Sequence, residues 1–145
     1  DLQTLTVESV SPSKLLPAAL IGALIAAAIN LVIFFVLPSA LGVAPIQVQM
    51  GPPSPDTPLT DLPAVAVIIM SAIPSFIAAG LLTVLGRFTT RPYTIFRIIA
   101  AVMLVLSFAP FTAVLMPTGA VITLGLMHIV AAGAIVWALD QRTRA

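Results

Sequence analysis

Cysteine is absent from this chain, and histidine occurs once in its 145 residues. The missing thiols exclude disulfides, iron–sulfur clusters, thiolate-bound metals and cysteine nucleophiles. A single histidine excludes bis-histidine ligation of a haem by one copy of the chain. Charge is scarce as well: 8% of residues carry it, against roughly 25% in an ordinary soluble domain. A net charge of +1 provides no basic excess of the kind nucleic acid attracts, so no nucleic-acid partner is expected. No H-E-x-x-H, no G-x-S-x-G and no carboxylate pair inside an apolar run occurs. The expectation is a protein that is not an enzyme and has no metal site.

Apolar surface is what the chain has in abundance. Hydrophobic residues make up 60% of it, and the mean hydropathy is +1.18. A small soluble domain leaves about a third of its chain surface in water and could not hide so much. A bilayer removes that difficulty by being the apolar solvent.

Four runs are long enough to cross a hydrocarbon core of ~30 Å at about 20 residues each: 15–37, 64–86, 93–113 and 119–139. Prolines mark their edges: Pro38 is expected to close the first, Pro63 opens the second, Pro92 the third and Pro117 the fourth. The first run exceeds the ~7–15 apolar residues of a signal peptide and reads as a retained span. All six cations, Lys14, Arg87, Arg91, Arg97, Arg142 and Arg144, fall at one set of helix ends, and the loops 38–63 and 114–118 contain none. By the positive-inside rule both termini face the cytoplasm. The fold class is therefore all-α: a polytopic membrane protein of four transmembrane helices, N-in and C-in. Residues 1–14 and 141–145 are its cytoplasmic tails, and 15–140 form the membrane domain.

The outer loop, 38–63, holds seven of the thirteen prolines. GPPSPDTP (51–58) is incompatible with a helix or a central strand, whereas the alternation in IQVQM (46–50) suits a short strand. Either an ordered cap over the outer helix ends or a floppy loop is expected. The two halves of the chain share no repeat.

Polar residues inside lipid are costly and mark where function would sit. Asn30 shares a face with Ala23, Ala26 and Ala27; it reads as an interhelical hydrogen bond or as a ligand contact. His128, midway along the last span, has Gly125, Ala131 and Ala132 on its face. It reads as a histidine bonded to another span, with Asn30 one candidate partner, or as a cofactor ligand. Pro74, flanked by Ser71 and Ser75, frees the carbonyl of residue 70 and predicts a kink; Ser107 and Pro110 repeat that pattern on the third span. Arg97 and Asp140 end up at the same interface and are expected to pair there as a structural anchor. Gly22-x-x-x-Ala26, Ala79-Gly80 and 131–134 allow close helix approach.

Two resemblances add to this reading. His128 with Gly125, Ala132 and the later Trp137 resembles the pigment-ligating helix of bacterial light-harvesting polypeptides, although Leu124 stands where that family usually has alanine. It implies a (bacterio)chlorophyll magnesium bound at His128. The pattern Gly86-Arg-Phe-Thr-Thr-Arg-Pro92, Phe96, Ser107-Phe-Ala-Pro110 and Met127-His128 resembles a family of small bacterial four-span membrane proteins of unknown function, over roughly residues 15–140. That resemblance implies a bacterial inner-membrane location and no activity. The leading expectation is a non-catalytic accessory or assembly subunit, with the lipid bilayer and other membrane subunits or further copies of itself as partners. A cofactor-ligating subunit through His128 and a small transporter or channel for a neutral or lipophilic solute are the alternatives.

Overall fold

Helix α1 begins before the expected first span and ends after it, running Pro12–Ala40 in the computed structural model of the chain. The structure describes residues 7–49, 52, 54–113 (for 112 and 113 the backbone alone) and 116–145. The first half of the N-terminal tail and parts of both outer loops lie outside the described residues. Pro12 occupies the first turn of α1, where its missing N–H goes unused. Pro38 does not close the helix as expected but lies inside it. The terminus is set by Gly42, whose φ of +68° turns the chain into the left-handed region. The amides of Gly42 and Val43 then donate back to Ser39 O and Pro38 O at 3.3 and 2.9 Å. These paired bonds satisfy carbonyls that a helix end leaves open.

Helix α2 spans Ala64–Phe88 and α5 Thr118–Arg142, close to the expected bounds. The third span differs. Helix α3, Pro92–Ser107, stops at 16 residues and is followed by a separate turn of helix, α4, Pro110–Ala113. Its length of ~24 Å falls short of a ~30 Å core. The break has a local cause. Pro110 has no N–H and disfavours helix in the residue before it, and the Ser107 hydroxyl donates to Leu104 O at 2.6 Å. Among the described residues three helices, α1, α2 and α5, are thus long and apolar enough to cross a membrane.

The described part of the outer loop takes the form of a cap, one of the two states left open by the sequence. Strands β1 (Gln47–Gln49) and β2 (Leu59–Asp61) pair antiparallel, with Val48 opposite Thr60. Beside them, the Leu62 amide donates to Ile46 O at 2.8 Å. Ile46, 2% exposed, plugs the outer end of the bundle against Val67, Leu124 and Met127. A Cβ on Gly119 would meet Val43 at 2.9 Å, so glycine is what lets α5 start directly beneath the cap.

Helix α1 is the centre of the packing, with α5 and α2 both lying against it. Its buried face reads Leu15, Ala18, Ala19, Gly22, Ala23, Ala26 and Asn30, a stripe at helical spacing made mostly of small residues. At Gly22 an added Cβ would lie 3.0 Å from Ser75 Oγ and 3.3 Å from both Ala138 Cβ and the Ile135 backbone. The inner core comprises Leu15, Ala79, Leu82, Tyr93, Phe96, Ile135 and Leu139. Helix α3 contributes to burial only through its first turns, with Pro92, Tyr93 and Phe96.

Two glycines should therefore respond oppositely to alanine. Gly22→Ala is expected to lower stability by about 1–3 kcal/mol through overpacking. Gly80→Ala, with nothing within 4 Å of its added methyl, should raise it by up to about 1 kcal/mol through helix propensity. Unfolding in detergent micelles measures both, and equal effects would contradict the packing described.

Candidate functional site

Three groups of polar side chains lie within or at the edges of the apolar bundle. The first is a seam between α1 and α2. Asn30, 3% exposed, donates from Nδ2 to Ser71 Oγ at 3.0 Å. One turn further along α2, the buried Ser75 hydroxyl donates to Ala19 O at 2.7 Å. Asn30 is thus joined to α2, and the contemplated bond to His128 is not formed. Pro74 itself is exposed. Its flanking serines serve α1 in these bonds, and α2 runs unbroken through the proline. The Oδ1 of Asn30 has no partner among the described residues.

The second group surrounds His128. Its Nδ1 lies 2.6 Å from Leu124 O, one turn back on its own helix. A carbonyl only accepts, so Nδ1 carries the proton and Nε2 presents a lone pair. The Phe111 ring meets the imidazole edge-on at 5.4 Å between centroids, and Phe108 lies tilted at 6.1 Å. Phe108 also faces Gly125, whose added Cβ would come within 3.3 Å of its ring. The Gly125 side of the imidazole is therefore occupied by an aromatic from the α3–α4 turn, while Ala131 and Ala132 remain partly exposed.

The third group joins the two chain ends to α3 on the cation-rich side. Asp140, 5% exposed, accepts from Arg97 Nε at 3.0 Å and from Arg97 Nη2 on one oxygen, and from Arg144 on the other. The positions of Arg97 and Asp140 in the sequence predict this pair. The Tyr93 hydroxyl meets Thr143 Oγ1 at 2.9 Å, and the Arg144 guanidinium lies 4.3 Å over the Tyr93 ring. Glu8 accepts from the Tyr93 amide at 2.9 Å and so caps α3. Lys14 donates to Arg144 O at 2.9 Å, Ser11 N to Thr143 O at 2.7 Å and Ala145 N to Ser9 O at 3.1 Å. The N-terminal stretch and the C-terminal residues are thereby pinned to each other. Sequence reasoning missed Glu8, Thr143 and the phenylalanines around His128. The acidic residue ahead of α1 carried no local signal, since the helix it caps begins 84 residues later in the chain.

No group of three or more His, Cys, Asp or Glu side chains able to hold a metal occurs among the described residues. Among the described residues, a shallow cavity lies under the cap, lined by Val43, Pro45, Gln47, Leu59, Met116 and Ala120.

A helical bundle whose long apolar helices are tied by a few internal polar bonds is an all-α polytopic membrane protein. The chain belongs to the Family of unknown function (DUF6069), whose family model matches residues 10–145. That agrees with the resemblance seen in the sequence. No curated protein and no solved structure matches the chain.

Asp140→Asn leaves Arg97 and Arg144 facing each other without a countercharge. Both arginines are about half exposed, so the expected loss is only about 1 kcal/mol per pair. The difference from the parent protein should shrink as ionic strength rises. A salt-independent loss in the detergent-solubilised protein would contradict an electrostatic role.

Proposed function

We propose that this chain is a non-catalytic accessory or assembly subunit of a larger complex in the bacterial cytoplasmic membrane, with both termini inside. The observation that carries this reading is the state of α3. Beyond Phe96 none of its residues is buried, and Ile98, Val102, Met103, Val105 and Leu106 are between 52% and 70% exposed. Helix α1 packs extensively against both α2 and α5, whereas the buried residues of α3 are confined to its inner end. A helix too short to cross alone and largely unpacked by its own chain is suited to completing a bundle with helices of another subunit. The polar side chains of the bundle support the same reading, because most of those described are bonded within the chain and none of the described ones forms a catalytic constellation.

The test is purification of the tagged chain from its native membrane in mild detergent. The expected result is co-migration with other membrane subunits in fixed ratio, at a mass well above 15.0 kDa. Val102→Trp should break that co-migration while leaving the melting of the isolated chain unchanged. A lone monomer in the gentlest detergent would contradict the proposal. Orientation is checked in parallel on the cysteine-free background. A cysteine at Asp56 should react with an impermeant thiol reagent added outside intact cells, and one at Thr90 should not.

A second reading has its own support: the proton on Nδ1 leaves His128 Nε2 as an unpartnered acceptor among the described residues. Such a nitrogen would serve as axial ligand to the magnesium of a (bacterio)chlorophyll, approached from the Ala132 side since Phe108 covers Gly125. His128→Gln should then abolish a visible absorption band of the native preparation. A colourless preparation would end this reading and leave the first standing.

A further inference from the structure

We infer that the short connection between α2 and α3 is a binding site for the phosphate of an anionic lipid headgroup. The cation-rich end of the molecule carries Lys14, Arg87, Arg91, Arg97, Arg142 and Arg144. Four of these are engaged within the chain. Arg97 and Arg144 hold Asp140, Lys14 holds the Arg144 carbonyl, and Arg142 lies 5.6 Å over the Trp137 ring. Arg87 and Arg91 are exposed and have no partner among the described residues. The carboxylates described at this end, Glu8 and Asp140, are already occupied by the α3 amides and by the two arginines. The remaining described carboxylates, Asp56 and Asp61, sit in the cap at the other end. Two guanidiniums are therefore left with no countercharge among the described residues.

Their setting specifies the partner. Between them Phe88 closes α2 with 82% of its surface exposed, more than any other large apolar side chain described. At 25 residues, α2 is ~37 Å long and outruns the ~30 Å hydrocarbon core, which places its last turn at headgroup level. There an aromatic ring settles into the acyl boundary, with Arg87 and Arg91 beside it at the depth of the phosphates. The loop that carries them is held firmly. The Thr89 amide donates to Leu85 O at 3.0 Å, Thr90 O accepts from the Glu8 amide at 3.2 Å, and Glu8 then caps α3. A guanidinium presents two parallel donors to a phosphate. The combination of two unpaired guanidiniums and an inserted ring selects a phosphate that is attached to acyl chains.

The test uses the full chain with Phe88→Trp and Trp137→Phe, which places the only tryptophan at the site. The protein is reconstituted in phosphatidylcholine containing brominated phosphatidylglycerol or brominated phosphatidylcholine, and quenching gives the relative affinity of the two lipids. Phosphatidylglycerol should be preferred, and the preference should fall about fivefold for each of Arg87→Gln and Arg91→Gln. It should also weaken with added salt in the unsubstituted reporter, an arm that needs no charge variant. Inorganic phosphate at constant ionic strength should leave it unchanged. Equal quenching by the two lipids, a preference that survives both substitutions, or displacement by free phosphate would each overturn the inference. If the tryptophan reporter fails to fold, the lipids retained by the otherwise native chain, with and without Arg87→Gln and Arg91→Gln, give the same comparison by mass spectrometry.

Discussion

The close approach of α1 to α2 and α5 around Gly22 is the contact on which the rest of the bundle depends. Lipid chains are as apolar as leucine, so no hydrophobic drive brings helices together inside a bilayer. Association rests on dispersion and on hydrogen bonds, and both require backbones to come near. Gly22 removes the one Cβ that would prevent this, and the Ser75 hydroxyl fits at that point while donating to Ala19 O. The same stripe continues through Ala23 and Ala26 to Asn30, where the second bond to α2 is made. Each such bond contributes only about 0.6–2 kcal/mol, so their placement along one seam matters more than their number.

Once the small-residue face of α1 is taken by α2 and α5, α3 is left at the margin. Among the described residues it makes no bond to α1 of the kind that Ser75 makes. What fixes it is the inner-end group: Glu8 on its first amides, Tyr93 on Thr143, and Arg97 on Asp140. Its outer end turns away at Ser107–Pro110 and returns Phe108 and Phe111 to the face of α5 that carries His128. The histidine environment and the exposed length of α3 are therefore two consequences of one break. A helix tied at one end and apolar elsewhere is the element most easily recruited by a neighbouring subunit.

The number, type and approximate extent of the helices were legible because hydropathy and proline position act locally. Pro63, Pro92 and Pro117 stand at or just before helix starts, as their missing N–H requires. Pro38 misled because a proline in the last turn of a helix loses little, and the terminus was decided instead by the glycine four residues on. The interruption of the third span was present in SFAPF, but as a kink rather than a stop. The Arg97–Asp140 pair was readable because both residues sit at one interface on elements joined by a short connection. The partner of Asn30 was not, since helix depth allows several partners and only packing selects Ser71. Nor was the filling of the Gly125 face, for Phe108 reaches it through a turn whose direction no spacing encodes.

The central claim is that three helices form a fixed core while α3 is completed by a partner. Pulsed electron–electron resonance between spin labels tests it directly, because the chain has no native cysteine. One label pair, at the exposed positions Leu24 and Ile129 of α1 and α5, reports on the core, and a second, at Met103 and Ile129, reports on α3. For the isolated chain in lipid nanodiscs the account predicts a narrow distance distribution for the first pair and a broad one for the second. The second should narrow when the chain is measured in its native membrane assembly. Equally narrow distributions for both pairs in the isolated chain would show that α3 needs no partner, and would contradict the account.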